Sequence, residues 1–73
     1  MAIDVNETDL AILSNLSEGR CTPSYLEKQT EFTRQAIQGR LTVLRAADYV
    51  VKIDTGLYEI TDEGRAVLSN QDG

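Results

Sequence analysis

The 73-residue chain contains no histidine, no tryptophan, one cysteine and one proline. Without histidine, Ser-His-Asp triads, imidazole general bases and most transition-metal sites are excluded. A single cysteine can form neither an internal disulfide nor a thiolate zinc site. Because no other catalytic constellation is visible, we expect no enzymatic activity, no metal and no cofactor.

Long apolar runs are also missing. A transmembrane helix needs about 20 consecutive apolar residues, whereas Asp4, Glu7 and Asp9 interrupt the N-terminal stretch. We therefore expect neither a signal peptide nor a membrane span, and a cytoplasmic location. The length predicts one domain over 1–73, with an ordered core over about 6–69, whose small core makes dimerisation a plausible source of stability.

Positive charge is scarce, and it is unevenly placed. The net charge is −5, and the only lysines are Lys28 and Lys52. Residues 32–47 hold three arginines and no acid, whereas the rest of the chain holds four basic and twelve acidic residues. An acid-rich, lysine-poor composition suggests a high-salt cytoplasm, where the screening length falls to about 3 Å at 1 M and repulsion from a polyanion fades. An ordinary acidic protein with three solvated arginines fits the composition equally well.

The segment from Thr33 to Asp48 has the periodicity of one amphipathic helix. Ile37, Leu41 and Leu44 recur at i, i+4 and i+7, so they form one stripe that must face a core. Thr33 is a good N-cap for this helix. The opposite side has amide, hydroxyl and guanidinium groups and no carboxylate: Arg34, Gln35, Gln38, Gly39, Thr42 and Arg45. Such a face suits the base edges and phosphates of nucleic acid, although exposed glutamines and arginines often serve only solubility.

A first helix is predicted to begin at Asn6 or Thr8 and to end at Gly19. Residues 20–22 are too few for more than a single edge strand, in which Cys21 is expected to pack as a small hydrophobe rather than act as a redox switch. The apolar positions of the first helix recur at helical spacing and predict its buried stripe: Leu10, Ile12, Leu13 and Leu16.

A short second helix is predicted from Pro23 to about Gln29, because Thr22 can cap it and proline fits its first turn. This helix should bury Leu26 and part of Tyr25. A three- or four-residue turn then leads into the longer helix. Two helices joined in this way form the helix-turn-helix pattern, although many small helical bundles share it.

The run 50–60 contains two β-rich segments about a Thr55-Gly56 loop and predicts a hairpin. The expected pairs are Asp54 with Leu57, Ile53 with Tyr58, Lys52 with Glu59, and Val51 with Ile60. The apolar pairs should face inward, and the charged pair should form an ion pair on the outer face. The exposed tip, Asp54 to Gly56, is a small wing.

A last helix should begin after Thr61, with Asp62 and Glu63 in its first turn at the positive end of the helix dipole. Gly64 lowers its helix propensity by up to about 1 kcal/mol, so we expect the helix to depend on docking to the rest of the domain. Its apolar contacts would come from Ala66, Val67 and Leu68.

The order of these elements is that of the α+β winged helix-turn-helix: a three-helix core, a short antiparallel wing of two to three strands, and a C-terminal helix. Over about residues 7–69, the chain resembles the small winged-helix regulators of haloarchaea and their viruses, of the phage phi-H repressor type, and more distantly the MarR and ArsR classes. The stretches that carry this resemblance are TDLAILSNL, TPSYLEKQTEFTRQAIQGRLTVLRAADYVVK and GLYEITDEGRAVL.

The resemblance implies transcriptional regulation through binding of duplex DNA, usually as a homodimer, with the helix over 33–48 in the major groove. Arg45 would lie near a phosphate. Many family members have a longer and more basic wing than this one. The residues that we expect at the DNA are Ser24, Tyr25, Thr33, Arg34, Gln35, Gln38, Gly39, Arg40, Thr42, Arg45, Lys52 and Thr55.

Two of these assignments have alternatives from the residues themselves. A core position with its hydroxyl at the surface fits Tyr25 equally well. Arg40 lies on the flank of the buried stripe, where a salt bridge to an acid is nearly as well supported as a DNA contact. The candidate acids are Asp48, Asp62 and Glu63.

Two functions fit the sequence. The first is a sequence-specific DNA-binding regulator, a repressor that acts by occluding its site. The second is a winged-helix protein-interaction module without DNA binding, such as an antirepressor or adaptor, which the overall acidity and small wing favour.

Overall fold

A computed structural model describes residues 5–72 of the chain. Its elements are α1 (Glu7–Ser17), α2 (Pro23–Gln29), α3 (Arg34–Ala46), β1 (Val50–Asp54), β2 (Leu57–Ile60) and α4 (Asp62–Asp72). This is the predicted α+β winged-helix layout. Among these residues, every helix is too short or too polar to cross a bilayer.

Side-chain caps define where the helices begin. The capping residues are Asn6, Thr22, Thr33 and Thr61, each of which accepts a hydrogen bond from a backbone N–H three residues later. The sequence predicted that α1 begins at Asn6 or Thr8, and in the structure Asn6 is the N-cap. The Asp9 carboxylate returns a bond by accepting from the Asn6 N–H at 3.0 Å, so the pair forms a capping box.

The core lies between α1, α2, α3 and the inner face of the hairpin. The predicted α3 stripe is confirmed, since Ile37, Leu41 and Leu44 are all buried. The α1 prediction needs correction. Leu10 is only half-buried, and the fully buried polar side chain of Asp9 occupies the stripe one turn before Ile12 and Leu13.

The hairpin register differs from the predicted one. Asp54 pairs with Leu57 as expected, but the register shifts between Lys52 and Asp54, and the remaining pairs are Lys52 with Tyr58, Val51 with Glu59, and Val50 with Ile60. The extra residue, Ile53, produces this shift, because a bulge moves every residue beyond it to the opposite face. Val51 therefore pairs with Glu59, and Val51 and the unpaired Ile53 are each 41% exposed instead of facing inward.

The predicted ion pair between Lys52 and Glu59 is consequently wrong. Glu59 instead binds Arg20, with Nε 2.9 Å from Oε2. Arg20 reaches it because the neighbouring Cys21 forms a one-residue strand against Tyr58, with N–H to carbonyl distances of 3.0 and 2.9 Å. That short edge strand was predicted.

Gly64 docks α4 against the base of the hairpin. A β-carbon built on Gly64 would overlap the Tyr49 carbonyl oxygen and would lie 2.7 Å from Cγ1 of Ile60. The Thr61 N–H also donates to the Tyr49 carbonyl, at 3.1 Å. Glycine is thus required for close packing, in addition to its effect on helix propensity.

Candidate nucleic-acid interface

The outer side of α3 is open to solvent along its length. Its exposed side chains and backbone are those of Arg34, Gln35, Gln38, Gly39, Thr42 and Arg45. They lie opposite the buried stripe, as the periodicity predicts. The N-cap residue Thr33 is also exposed and lies at the start of the same face.

Both ends of α3 are fixed by the local sequence. The Thr33 hydroxyl accepts from the Ala36 N–H at 3.2 Å. At the other end, the Tyr49 N–H donates to the Leu44 carbonyl, and Asp48 adopts a left-handed conformation with φ 65°. This arrangement is a Schellman motif, which ends the helix and turns the chain into β1. The outer face is therefore held on a rigid element.

Arg34 joins the start of α3 to α2. Its Nη2 donates to Oγ of Ser24 at 2.7 Å, and its Nε lies 3.4 Å from Oε1 of Glu27. The α3 face has no acid of its own, but α2 supplies one beside it. The two side chains of this ion pair are 55% and 42% exposed. Exposed pairs of this kind contribute about 0–1 kcal/mol, so an external anion can replace Glu27 at small cost.

Arg40 points to α1 instead of lying on the outer face. Its Nε and Nη2 each donate to an oxygen of Asp9 at 2.7 Å, in a two-pronged arrangement. The hydrogen bonds from Arg40 to Asp9 raise the pKa of the guanidinium above its usual value, although desolvation opposes them. The salt-bridge partner is therefore none of the three acids that the sequence suggested.

A signal for the Asp9 partner was present in the sequence. Asp9 precedes Ile12, Leu13 and Leu16 at helical spacing, which puts it on the buried stripe. An acid at such a position requires a buried partner, because an unpaired charge in a core is costly. Arg40, on the flank of the facing stripe, supplies that partner.

A shallow groove of about 520 Å³ separates the end of α3 from β1. Arg45 and Lys52 line it from opposite sides, and neither takes part in an ion pair among the residues that the structure describes. Thr42 lies in the same groove, with its hydroxyl donating to the Gln38 carbonyl at 3.1 Å. Asp48 also lines the groove and weakens its positive potential.

Two of the remaining predicted residues, Tyr25 and Thr55, lie outside α3. Tyr25 is 49% exposed, which agrees with the partial burial expected of it. Thr55 lies exposed at the wing tip, where its N–H donates to Oδ1 of Asp54 at 2.7 Å. The tip has no cation of its own, so the basic groups of the wing reduce to Lys52.

Cys21 behaves as the predicted small hydrophobe. Its side chain is buried, and its Sγ lies 3.4 Å from the Gly19 carbonyl oxygen. Burial, together with the nearby charge of Glu18, raises the pKa of the thiol. A raised pKa reduces the thiolate fraction and therefore the reactivity. Within residues 5–72, no three potential metal ligands come together.

These features define a winged helix-turn-helix. Its helices are α2 and α3, α3 has an exposed polar face, and a two-stranded wing follows. The model of the MarR family matches residues 3–56, from before α1 to the turn of the hairpin. The chain therefore belongs to the MarR family of winged-helix transcription regulators, and the MarR part of the predicted resemblance is confirmed. Comparisons with curated proteins and with solved structures gave no match.

Proposed function

We propose that this protein is a sequence-specific regulator that binds duplex DNA with α3 in the major groove. The observation that carries the proposal is the outer face of α3, which is exposed, rich in hydrogen-bond donors and free of its own acids. Family membership supports the same conclusion.

Chemistry assigns roles to the side chains on this face. Glutamine amides pair with adenine and arginine pairs with guanine through two hydrogen bonds each, worth about 1–3 kcal/mol of discrimination. Gln35, Gln38 and Arg34 suit these roles, while Arg45 and Lys52 suit phosphates on either side of the groove. Supporting contacts are proposed from Ser24, Tyr25, Thr33, Gly39, Thr42 and Thr55.

We further propose that the protein represses by occlusion and binds as a homodimer in a high-salt cytoplasm, as in haloarchaea. A dimer would place two α3 helices on half-sites about one helical turn apart. The net charge of −5 and the small domain size support this setting. High salt screens the acids, and a second copy adds buried surface.

Two observations favour the second candidate, a protein-interaction module. Glu27 already occupies one side of Arg34, so the basic face is partly neutralised. Val51 and Ile53 are also exposed on the outer side of β1, where apolar side chains can contact a protein partner.

A salt titration with random duplex DNA separates the two candidates. We expect affinity, measured by fluorescence anisotropy, to fall with salt at a log–log slope of about −0.9 for each phosphate neutralised. Arg45→Ala should make that slope shallower by about one phosphate. Arg65→Ala is the matched control, because Arg65 lies on α4 and donates to the Ser17 carbonyl at 3.3 Å.

The absence of binding at every salt concentration would exclude the DNA-binding function and leave the interaction module. Equal slopes for Arg45→Ala and Arg65→Ala would remove Arg45 from the interface. A binding site selected from a random duplex library would then test sequence specificity. We expect one sequence to be enriched and to bind at least about 10³-fold more tightly than random DNA.

A further inference from the structure

We propose that the Asp9–Arg40 pair is a positioning element that sets the rotation of α3 against α1, and that Arg40 acts through this pair without touching DNA. The proposal rests on the proposed function. It assigns to Arg40 a role different from that of the arginines on the outer face, although all three belong to the same helix.

The geometry of the pair restricts movement more than apolar contacts do. Both Arg40 nitrogens lie 2.7 Å from separate Asp9 oxygens, and Oδ2 also accepts from the Asn6 N–H at 3.0 Å. One carboxylate therefore links the first turn of α1 to the middle of α3. A planar guanidinium paired with a carboxylate in this way has a strict orientation. The leucines and isoleucines of the stripe, in contrast, tolerate sliding and repacking.

The position of Arg40 in the sequence connects this orientation to recognition. Gln38 and Gly39 directly precede it, and both are exposed on the outer face. Since each residue of a helix advances by about 100°, fixing Arg40 inward fixes the directions of its neighbours. Two-bond contacts to bases need positions accurate to about 0.5 Å and 10–20°, so a small rotation of α3 would disturb them.

Burial argues against a direct DNA contact by Arg40. The Asp9 side chain is 0% exposed and that of Arg40 is 29% exposed. If the guanidinium moved to a phosphate, Asp9 would remain buried without its partner, which is strongly unfavourable. Stability alone does not explain the pair either, because apolar residues of similar size often replace a buried ion pair without loss. Fixing the geometry of α3 is a role that such replacements would not preserve.

The informative variant is the double substitution Asp9→Leu/Arg40→Met. Single substitutions such as Arg40→Ala leave the buried Asp9 carboxylate unpaired and can unfold the domain, whereas the double variant keeps an apolar core. Circular dichroism on heating should show a cooperative transition in the double variant. For DNA binding, the double variant is compared with Arg45→Ala, which removes a proposed phosphate contact.

We expect the double variant to retain the salt slope and, within about twofold, the random-DNA affinity of the wild type. Its affinity for the selected duplex should fall at least about tenfold, because only base contacts depend on exact placement. Arg45→Ala should instead weaken both complexes and reduce the slope. Arg40→Lys, which keeps the charge but loses the two-pronged bond, should also lose affinity for the selected duplex.

A slope reduced by about one phosphate in the double variant would overturn the proposal and make Arg40 a phosphate ligand. Unchanged affinity for the selected duplex would also overturn it. If the wild-type protein binds no DNA, the proposed function fails instead. In that case, residual dipolar couplings of the free protein still test the pair: a changed orientation of α3 relative to α1 in the double variant would support a positioning role, and an unchanged orientation would exclude it.

Discussion

The two ion pairs formed by α3 differ in their geometry and in their burial. Arg40 binds Asp9 through two bonds of 2.7 Å with the carboxylate fully buried, whereas Arg34 lies 3.4 Å from a Glu27 that is 42% exposed. The buried pair is costly to break, and the exposed pair is not. One helix thus uses the same chemistry inside to hold its position and outside to leave a cation available.

The buried and exposed sides of α3 should differ most in how much a substitution lowers the stability of the fold. Leu41→Ala removes a side chain that is 1% exposed, and we expect it to lower the free energy of unfolding by about 2–5 kcal/mol. Thr42→Ala, at the adjacent exposed position, should change it by less than about 0.5 kcal/mol. Urea denaturation measures both. Similar losses would mean that the outer side of α3 is also packed.

Substitutions on the exposed side of α3 should affect DNA binding more than stability. Gln38→Ala and Arg34→Ala should each weaken binding to the selected duplex by about tenfold, or 1.4 kcal/mol, with little change in unfolding. Lys28→Ala is the control for Arg34, since it removes an exposed positive charge from α2. Anisotropy titrations that give wild-type affinities for the α3 variants would exclude these residues from the site.

Substitution of a glycine on the outer side should change stability and DNA affinity in opposite directions. Gly39→Ala should raise the free energy of unfolding by up to about 1 kcal/mol, because its β-carbon would meet nothing within 4 Å. The same methyl group should reduce DNA affinity if the backbone approaches a base closely. Gly64→Ala is the contrasting variant, since its β-carbon would overlap Tyr49 and should destabilise the fold. Tighter DNA binding by Gly39→Ala would contradict a close approach.

The smallest effect should come from the acid beside Arg34. Glu27→Gln should increase DNA affinity about two- to threefold at low salt, because exposed pairs contribute up to about 1 kcal/mol. Glu31→Gln removes the same charge from an exposed position after α2 and serves as the control. Equal gains from the two variants would indicate general repulsion, not competition for Arg34. The gain should disappear in the Arg34→Ala background.

Local signals in the sequence were enough to predict most of the fold. Thr22, Pro23 and Thr33 define helix starts through bonds within one turn, and the α3 stripe follows from helical spacing. Asp54 and Leu57 were likewise paired correctly, because the turn determines the residues next to it.

The errors came from features that no local pattern in the sequence marks. Val50, Val51 and Ile53 are all apolar, so alternation alone did not reveal the bulge or the inward face. Asp9 was interpreted as an acid that interrupts the N-terminal stretch, which hid its pairing with Arg40. These features depend on which elements pack together, and that information is not local.

The burial of Cys21 bears on how copies of this protein can associate. It is the only thiol in the sequence, and its side chain is 4% exposed. Two intact copies therefore cannot be cross-linked by oxidation without first opening the fold. A dimer of the folded chain is therefore expected to be insensitive to reductant.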